Sequence, residues 1–112
     1  MNFISQYGIC CISVYMKKKY CYWLSTFENI KSDKSLLEYS AQAKKIIKKY
    51  DGKLIFKSQN NIKLEGKKYK RIVCFKFKNI KDAKKCHSSK EYKKIKKIIS
   101  KKVDRNINLF LY

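Results

Sequence analysis

The segment Tyr69–Lys78 constrains the fold more than any other. In an extended strand successive side chains point to opposite faces. Arg71, Val73, Phe75 and Phe77 therefore share one side, and Ile72, Cys74 and Lys76 the other. Neither set is purely polar, so this strand needs cover on both sides. Tyr20–Phe27 repeats the pattern: it is rich in aromatic and β-branched types, and it sends Tyr22 and Trp23 to opposite faces. A sheet with helices on one side normally offers a polar second face to water. An apolar second face asks for another layer.

Helical periodicity separates these strands. Ser32-Asp33 offers an N-cap, with a capping box Ser35-x-x-Glu38 just inside it. Leu36, Tyr39 or Ser40, Ala43, Ile47 and Tyr50 then recur at spacings that put them on one helix face, while Lys44, Lys45, Lys48 and Lys49 take the other. Those lysines are either a ladder for phosphates or a solvated face whose last-turn charges suit the helix dipole. Gly52 is expected to end the helix, because glycine adopts the left-handed C′ conformation without strain. Lys53–Lys57 reads as a short second strand, and Ser58–Lys63 as a polar loop. After the strand at Tyr69–Lys78, Asn79 caps a helix through Ala83 and Cys86. Ser88-x-x-Glu91 offers a capping box for a further helical segment with Tyr92, Ile95, Ile99 and Val103 inward. Asp104–Tyr112 closes the chain as a strand. The order is βαββαβ, with the second helix broken at Ser88. It predicts an α+β, ferredoxin-like domain: a four-stranded antiparallel sheet with helices on one face.

The chain has 112 residues, 45% of them hydrophobic, enough for one core and one domain. Twenty-nine basic residues against 8 acidic give a formal charge of +21, which points to polyanions. Only Arg71 and Arg105 are arginine; the other basic residues are lysine, in company with abundant Ile, Asn, Tyr and Phe and no proline. That composition also fits AT-rich coding bias, with non-specific polyanion binding as the competing reading. The five cysteines, Cys10, Cys11, Cys21, Cys74 and Cys86, contain no CxxC, and His87 directly after Cys86 cannot complete a tetrahedral shell. Neither a metal nor a cofactor is expected, and the thiols read as those of a reduced, cytoplasmic protein. Residues 1–15 carry no charge, but their apolar run is too short to span a membrane, and the basic residues follow it rather than precede it as in a secretory signal. Residues 1–19 are expected to be an N-terminal extension, disordered or upstream of a start at Met16, with the domain at 20–112.

Glu65-Gly66, the strand Arg71–Phe77 and Ser89-x-x-Tyr92 together resemble the domain of unknown function 1330 family, small proteins of the dimeric α+β barrel superfamily. The resemblance implies a homodimer packed through its sheet faces and a small ligand in a cleft between sheet and helices, with no known reaction attached. The cleft would be lined by Tyr22, Trp23, Arg71, Phe75, His87 and Tyr92, with Ser89 and Glu65 as further candidates. Glu65 is either a site carboxylate or a turn residue beside a glycine that needs positive φ. His87 and Tyr92 could exchange a proton with a ligand, or serve as a cap and a core residue. The chain departs from the family pattern at Cys86, where an aromatic is usual, at Lys90, where proline is common, and at Ile99, near a usual arginine. A different function also fits this topology: RNA or single-stranded nucleic-acid binding, with bases stacked on strand aromatics. Phe75 and Phe77 would supply the stacking, although the glycines of the RNA-recognition motif are missing from Lys70–Phe77.

Overall fold

The computed structural model describes residues 20–112, so the expected N-terminal extension lies outside the described residues. The elements are β1 (Cys21–Ile30), α1 (Asp33–Lys49), β2 (Lys53–Ser58), β3 (Arg71–Phe77), α2 (Ile80–Ser88), α3 (Lys90–Ile99) and β4 (Val103–Leu111). They form one antiparallel sheet in the order β2-β3-β1-β4. β1 is central and pairs with both β3 and β4. Its alternation decides the layering: Cys21, Trp23, Ser25 and Phe27 are buried, while Tyr22, Leu24 and Thr26 on the other face are half-buried. Trp23, Phe27, Val73 and Phe77 from the sheet pack with Leu36, Tyr39, Ala43 and Ile47 of α1, Ala83 and Cys86 of α2, and Tyr92, Ile95 and Ile99 of α3. All three helices thus cover one face, and the domain is α+β and ferredoxin-like.

Ser32 caps α1, its Oγ accepting from Ser35 N at 3.1 Å. Ser35 is therefore the recipient of the cap, and the capping box expected at Ser35-x-x-Glu38 does not form. The choice between Tyr39 and Ser40 falls to Tyr39, which is buried. The helix ends differently from the sequence expectation. Asp51, at φ 66°, takes the left-handed position, and Gly52 follows it, donating to Ile47 O at 2.9 Å while Asp51 N reaches Lys48 O at 3.0 Å. This is a Schellman closure with aspartate at C′. Gly52 is needed for space: a Cβ there would lie 2.4 Å from Ile47 Cγ2 and 2.8 Å from Phe77 Cζ. At the other predicted turn, Gly66 does have positive φ, 78°.

Asn79 caps α2 as expected, accepting from Asp82 N at 2.8 Å. The next cap is Ser89 rather than Ser88. Ser89 Oγ accepts from Tyr92 N at 3.1 Å and donates to Cys86 O at 2.8 Å, closing one helix and opening the next. Ser88 spends its hydroxyl on Lys84 O within α2. Val103, expected on the inner face of the last helix, instead starts β4, because Lys101 turns the chain at φ 64°.

Candidate functional site

A cavity of about 80 Å³ lies between the covered face of the sheet and α1. Trp23, Ser25 and Phe27 of β1, with Val73 and Phe75 of β3, form its floor; Tyr39, Ser40, Ala43 and Ile47 of α1 form its roof. Leu54 and Lys57 of β2, Lys44 of α1, Arg71 and Arg105 complete the wall. The strand period of two puts Trp23 and Phe27 on this floor, and the helix period puts Tyr39, Ala43 and Ile47 above them. The polar groups of the floor are paired among themselves: Trp23 Nε1 donates to Ser25 Oγ at 3.0 Å, which satisfies the one buried serine of the sheet. Among the described residues no carboxylate lines the cavity, and four cations do.

Arg105 is held by two phenols. Its guanidinium donates to Tyr39 Oη and, at 2.9 Å, to Tyr92 Oη, and the two hydroxyls bond to each other. Tyr92 is fully buried, and its burial pushes its phenol far above the ordinary range. It remains protonated and serves as an anchor for Arg105. Arg71 is in a different position. Its guanidinium lies 5.5 Å from the centre of the Phe27 ring, and its Nε is buried with no hydrogen-bond partner. Burial pulls it below the ordinary arginine value, with only the nearby Tyr39 acting in the opposite direction.

Of the residues singled out in the sequence, Trp23, Arg71 and Phe75 come together here. Tyr92 does not line the cavity and connects to it through its hydrogen bonds to Tyr39 and Arg105. His87 lies on the far side of the Trp23 ring, 5.6 Å from it between centroids, in a separate open groove with Lys84, Ser88, Ile107 and Leu109. Burial against Trp23 and the charges of Lys96, Arg105 and Lys93 lower its pKa, so it is neutral at pH 7. Ser89 uses its hydroxyl as both donor and acceptor in the helix junction. Glu65 is exposed in the turn at Gly66 and does not line the cavity. Tyr22 is on the opposite face of the sheet from Trp23, so the expectation that both line one cleft is corrected by the alternation of β1 itself. Phe75 and Phe77 point under the helices, Phe77 almost fully buried, and present no surface on which bases could stack.

Tyr39 and Arg105 were not singled out from the sequence. Tyr39 was one of two candidates for a core position, and Arg105 joins the site only because β4 pairs with β1. Cys21, Cys74 and Cys86 are buried thiols, and burial together with Glu91 pushes Cys86 up to about 12, which keeps it unreactive. Among the described residues no group of His, Cys, Asp and Glu could hold a metal ion, and no helix is long and apolar enough to cross a membrane.

A family model described as a domain of unknown function, DUF1330, matches residues 20–110. A comparison with curated proteins gave no match. Among solved structures, the RPA0582 protein of unknown function from Rhodopseudomonas palustris is similar at TM-score 0.70 and 9% identity, covering 92% of each chain. SnoaB, a cofactor-independent oxygenase from Streptomyces nogalater, is similar at TM-score 0.57 and 6% identity, over 82% of this chain and 91% of its own. A dimeric protein of unknown function and ferredoxin-like fold from Bacteroides fragilis is similar at TM-score 0.53 and 14% identity, over 83% of this chain and 96% of its own. At these identities the likeness is one of fold.

Proposed function

The chain belongs to the domain of unknown function 1330 family, and for this member we propose that it binds a small ligand in the cleft between the sheet and α1, as a homodimer joined through the open sheet faces. The observation that carries the binding role is the cavity under α1, with its apolar floor at Trp23, Phe27, Val73 and Phe75 and the unpartnered Arg71 Nε. Ligand pockets generally combine an apolar lining with a few placed polar groups, and this one does so on a small scale. Binding is favoured over turnover because the described residues of the lining include no carboxylate, histidine or cysteine. His87, the residue best suited to proton transfer, is separated from the cleft by Trp23.

The homodimer is supported by the open face of the sheet. Tyr22, Leu24, Ile72 and Cys74 form an apolar middle flanked by Phe56 and Phe110, 46% and 54% exposed, with Lys76 beside Tyr22 and with Asn106 and Asn108 on the β4 edge. An exposed apolar patch on a sheet face, rimmed by polar residues, favours a second layer. The dimeric neighbour from Bacteroides fragilis agrees with that reading.

The only tryptophan of the sequence is part of the cleft floor, so its emission tests the binding role directly. Small branched-chain compounds, neutral or charged, are expected to change Trp23 emission saturably with a stoichiometry of one per chain. A linear, non-saturating response to all of them would contradict the binding role.

A further inference from the structure

Arg71 and Arg105 are the only arginines in a chain whose other basic residues are all lysine. Both pair with the same residue across the sheet: Phe27 of β1 faces Arg71 of β3 on one side and Arg105 of β4 on the other. Residues paired in this way point to the same face, so the two guanidinium groups flank the Phe27 ring under α1, their backbones about 10 Å apart across two strand spacings. Lysine would satisfy a solvated charge at either place. What arginine adds is a planar fork of N–H donors, weakly hydrated, that matches the two oxygens of a carboxylate.

Neither arginine has an acidic partner: among the described residues the ion pairs are Lys49–Glu91 and Lys67–Glu28. Tyr39 and Tyr92 fix the orientation of Arg105 while occupying only part of its donor set. Arg71 keeps a buried Nε without a partner, an arrangement that is costly unless an acceptor arrives. Lys44 and Lys57 add two more cations to the wall, Ser25, Tyr39 and Ser40 add hydroxyls, and the rest of it is apolar. The cavity, about 80 Å³ against the roughly 150 Å³ of a closed cavity that holds benzene, takes the branched apolar end of a ligand of benzene's size but not the whole of it.

We infer that the ligand of this cleft is a small carboxylate with a compact, branched apolar body, its carboxylate oxygens on Arg71 and Arg105 and its body against Trp23, Val73 and Phe75. This rests on the reading of the cleft as a ligand site and adds the class of ligand.

The test is a titration of Trp23 emission with isobutyrate and with isobutyramide, which share shape and differ in charge, in about 0.3 M salt to screen the surface lysines. Isobutyrate is expected to bind at least about tenfold more tightly than the amide, as a charge-assisted pair requires. Arg71→Gln is expected to remove that preference, and Arg71→Lys to restore part of it. Equal binding of both compounds would overturn the carboxylate assignment while leaving a ligand cleft in place. No saturable response to either would overturn the cleft itself. Displacement of isobutyrate by an equal concentration of inorganic phosphate would show that the apolar body contributes nothing and would also overturn the assignment. Should Arg71→Gln not fold, the comparison of the two compounds on the unsubstituted protein decides alone.

Discussion

Gly52 and Asp51 show how one residue's role can pass to its neighbour. The sequence points to Gly52 as the left-handed terminator of α1, yet Asp51 takes that conformation and Gly52 is held small by Ile47 and Phe77. Aspartate tolerates positive φ better than most residues, and nothing can replace an absent Cβ in a packed contact. Gly52→Ala is therefore expected to lower stability by about 1–3 kcal/mol, the usual range for overpacking, as read from urea denaturation. His87 gives a second residue-scale expectation. Its pKa is lowered in the folded state by contact with Trp23 and by Lys96, Arg105 and Lys93 around it. A lowered histidine means that the unfolded chain takes up a proton first. Stability should then be full above the unfolded value of about 6.5, fall as pH drops through it, and stop falling for this reason once the folded pKa is passed. The carboxylates of Glu28 and Glu91, lowered by their hydrogen bonds to Asn106 and Lys49, act in the same direction at more acidic pH. Denaturation midpoints of His87→Gln should be flatter than those of the unsubstituted protein between about pH 7 and 5.5; parallel curves would show that His87 carries no such linkage.

At the scale of elements, the helix junction at Ser89 is the most exposed to test. Its hydroxyl satisfies Tyr92 N at the start of α3 and bonds to Cys86 O at the end of α2. Ser89→Ala is expected to cost about 1 kcal/mol, whereas Ser88→Ala, one residue earlier and bonded only within its own helix, should be near neutral. Reversed effects would mean that the break falls at Ser88. The existence and order of all seven elements could be read from the sequence, because the periods of two and of 3.6 are clear in the long elements and the short β2, a Leu-Ile-Phe run without alternation, is bounded by Gly52 and the polar loop after it. The caps could be read only to within a residue, since Ser88 and Ser89, or Ser32 and Ser35, present the same hydroxyl. The site was half legible. Trp23, Arg71 and Phe75 carry local signals, an aromatic strand and a lone arginine in a buried strand. Arg105 carries none: its place beside Phe27 is set by the pairing of the first strand with the last, which no local pattern encodes. The rings of His87 and Tyr92 lie 5.4 Å apart, but the wall of Trp23 between His87 and the cleft is a property of packing alone.

At the scale of the whole molecule, the charge and the two faces of the sheet pull in different directions. A net charge of +21 opposes self-association, and the open sheet face favours it. In about 0.3 M salt the repulsion is damped within a few ångströms, so light scattering is expected to give a mass near twice 13.4 kDa. Phe110→Glu on the open face should shift that mass toward the monomer without disturbing the cleft. A monomer in the unsubstituted protein under these conditions would remove the homodimer from the account. The binding role stands apart from that outcome, because the cavity is built entirely within one chain.

The most direct measurement of that role is a map of backbone and indole amide shifts in the ¹⁵N-labelled protein as isobutyrate is added. The account predicts that the largest changes fall on the Trp23 indole N–H, Phe27, Tyr39, Arg71, Val73 and Arg105, around the cleft under α1. Changes spread over the lysine-rich outer faces of the helices, with the Trp23 indole unmoved, would contradict it and leave only the attraction of an anion to a basic surface.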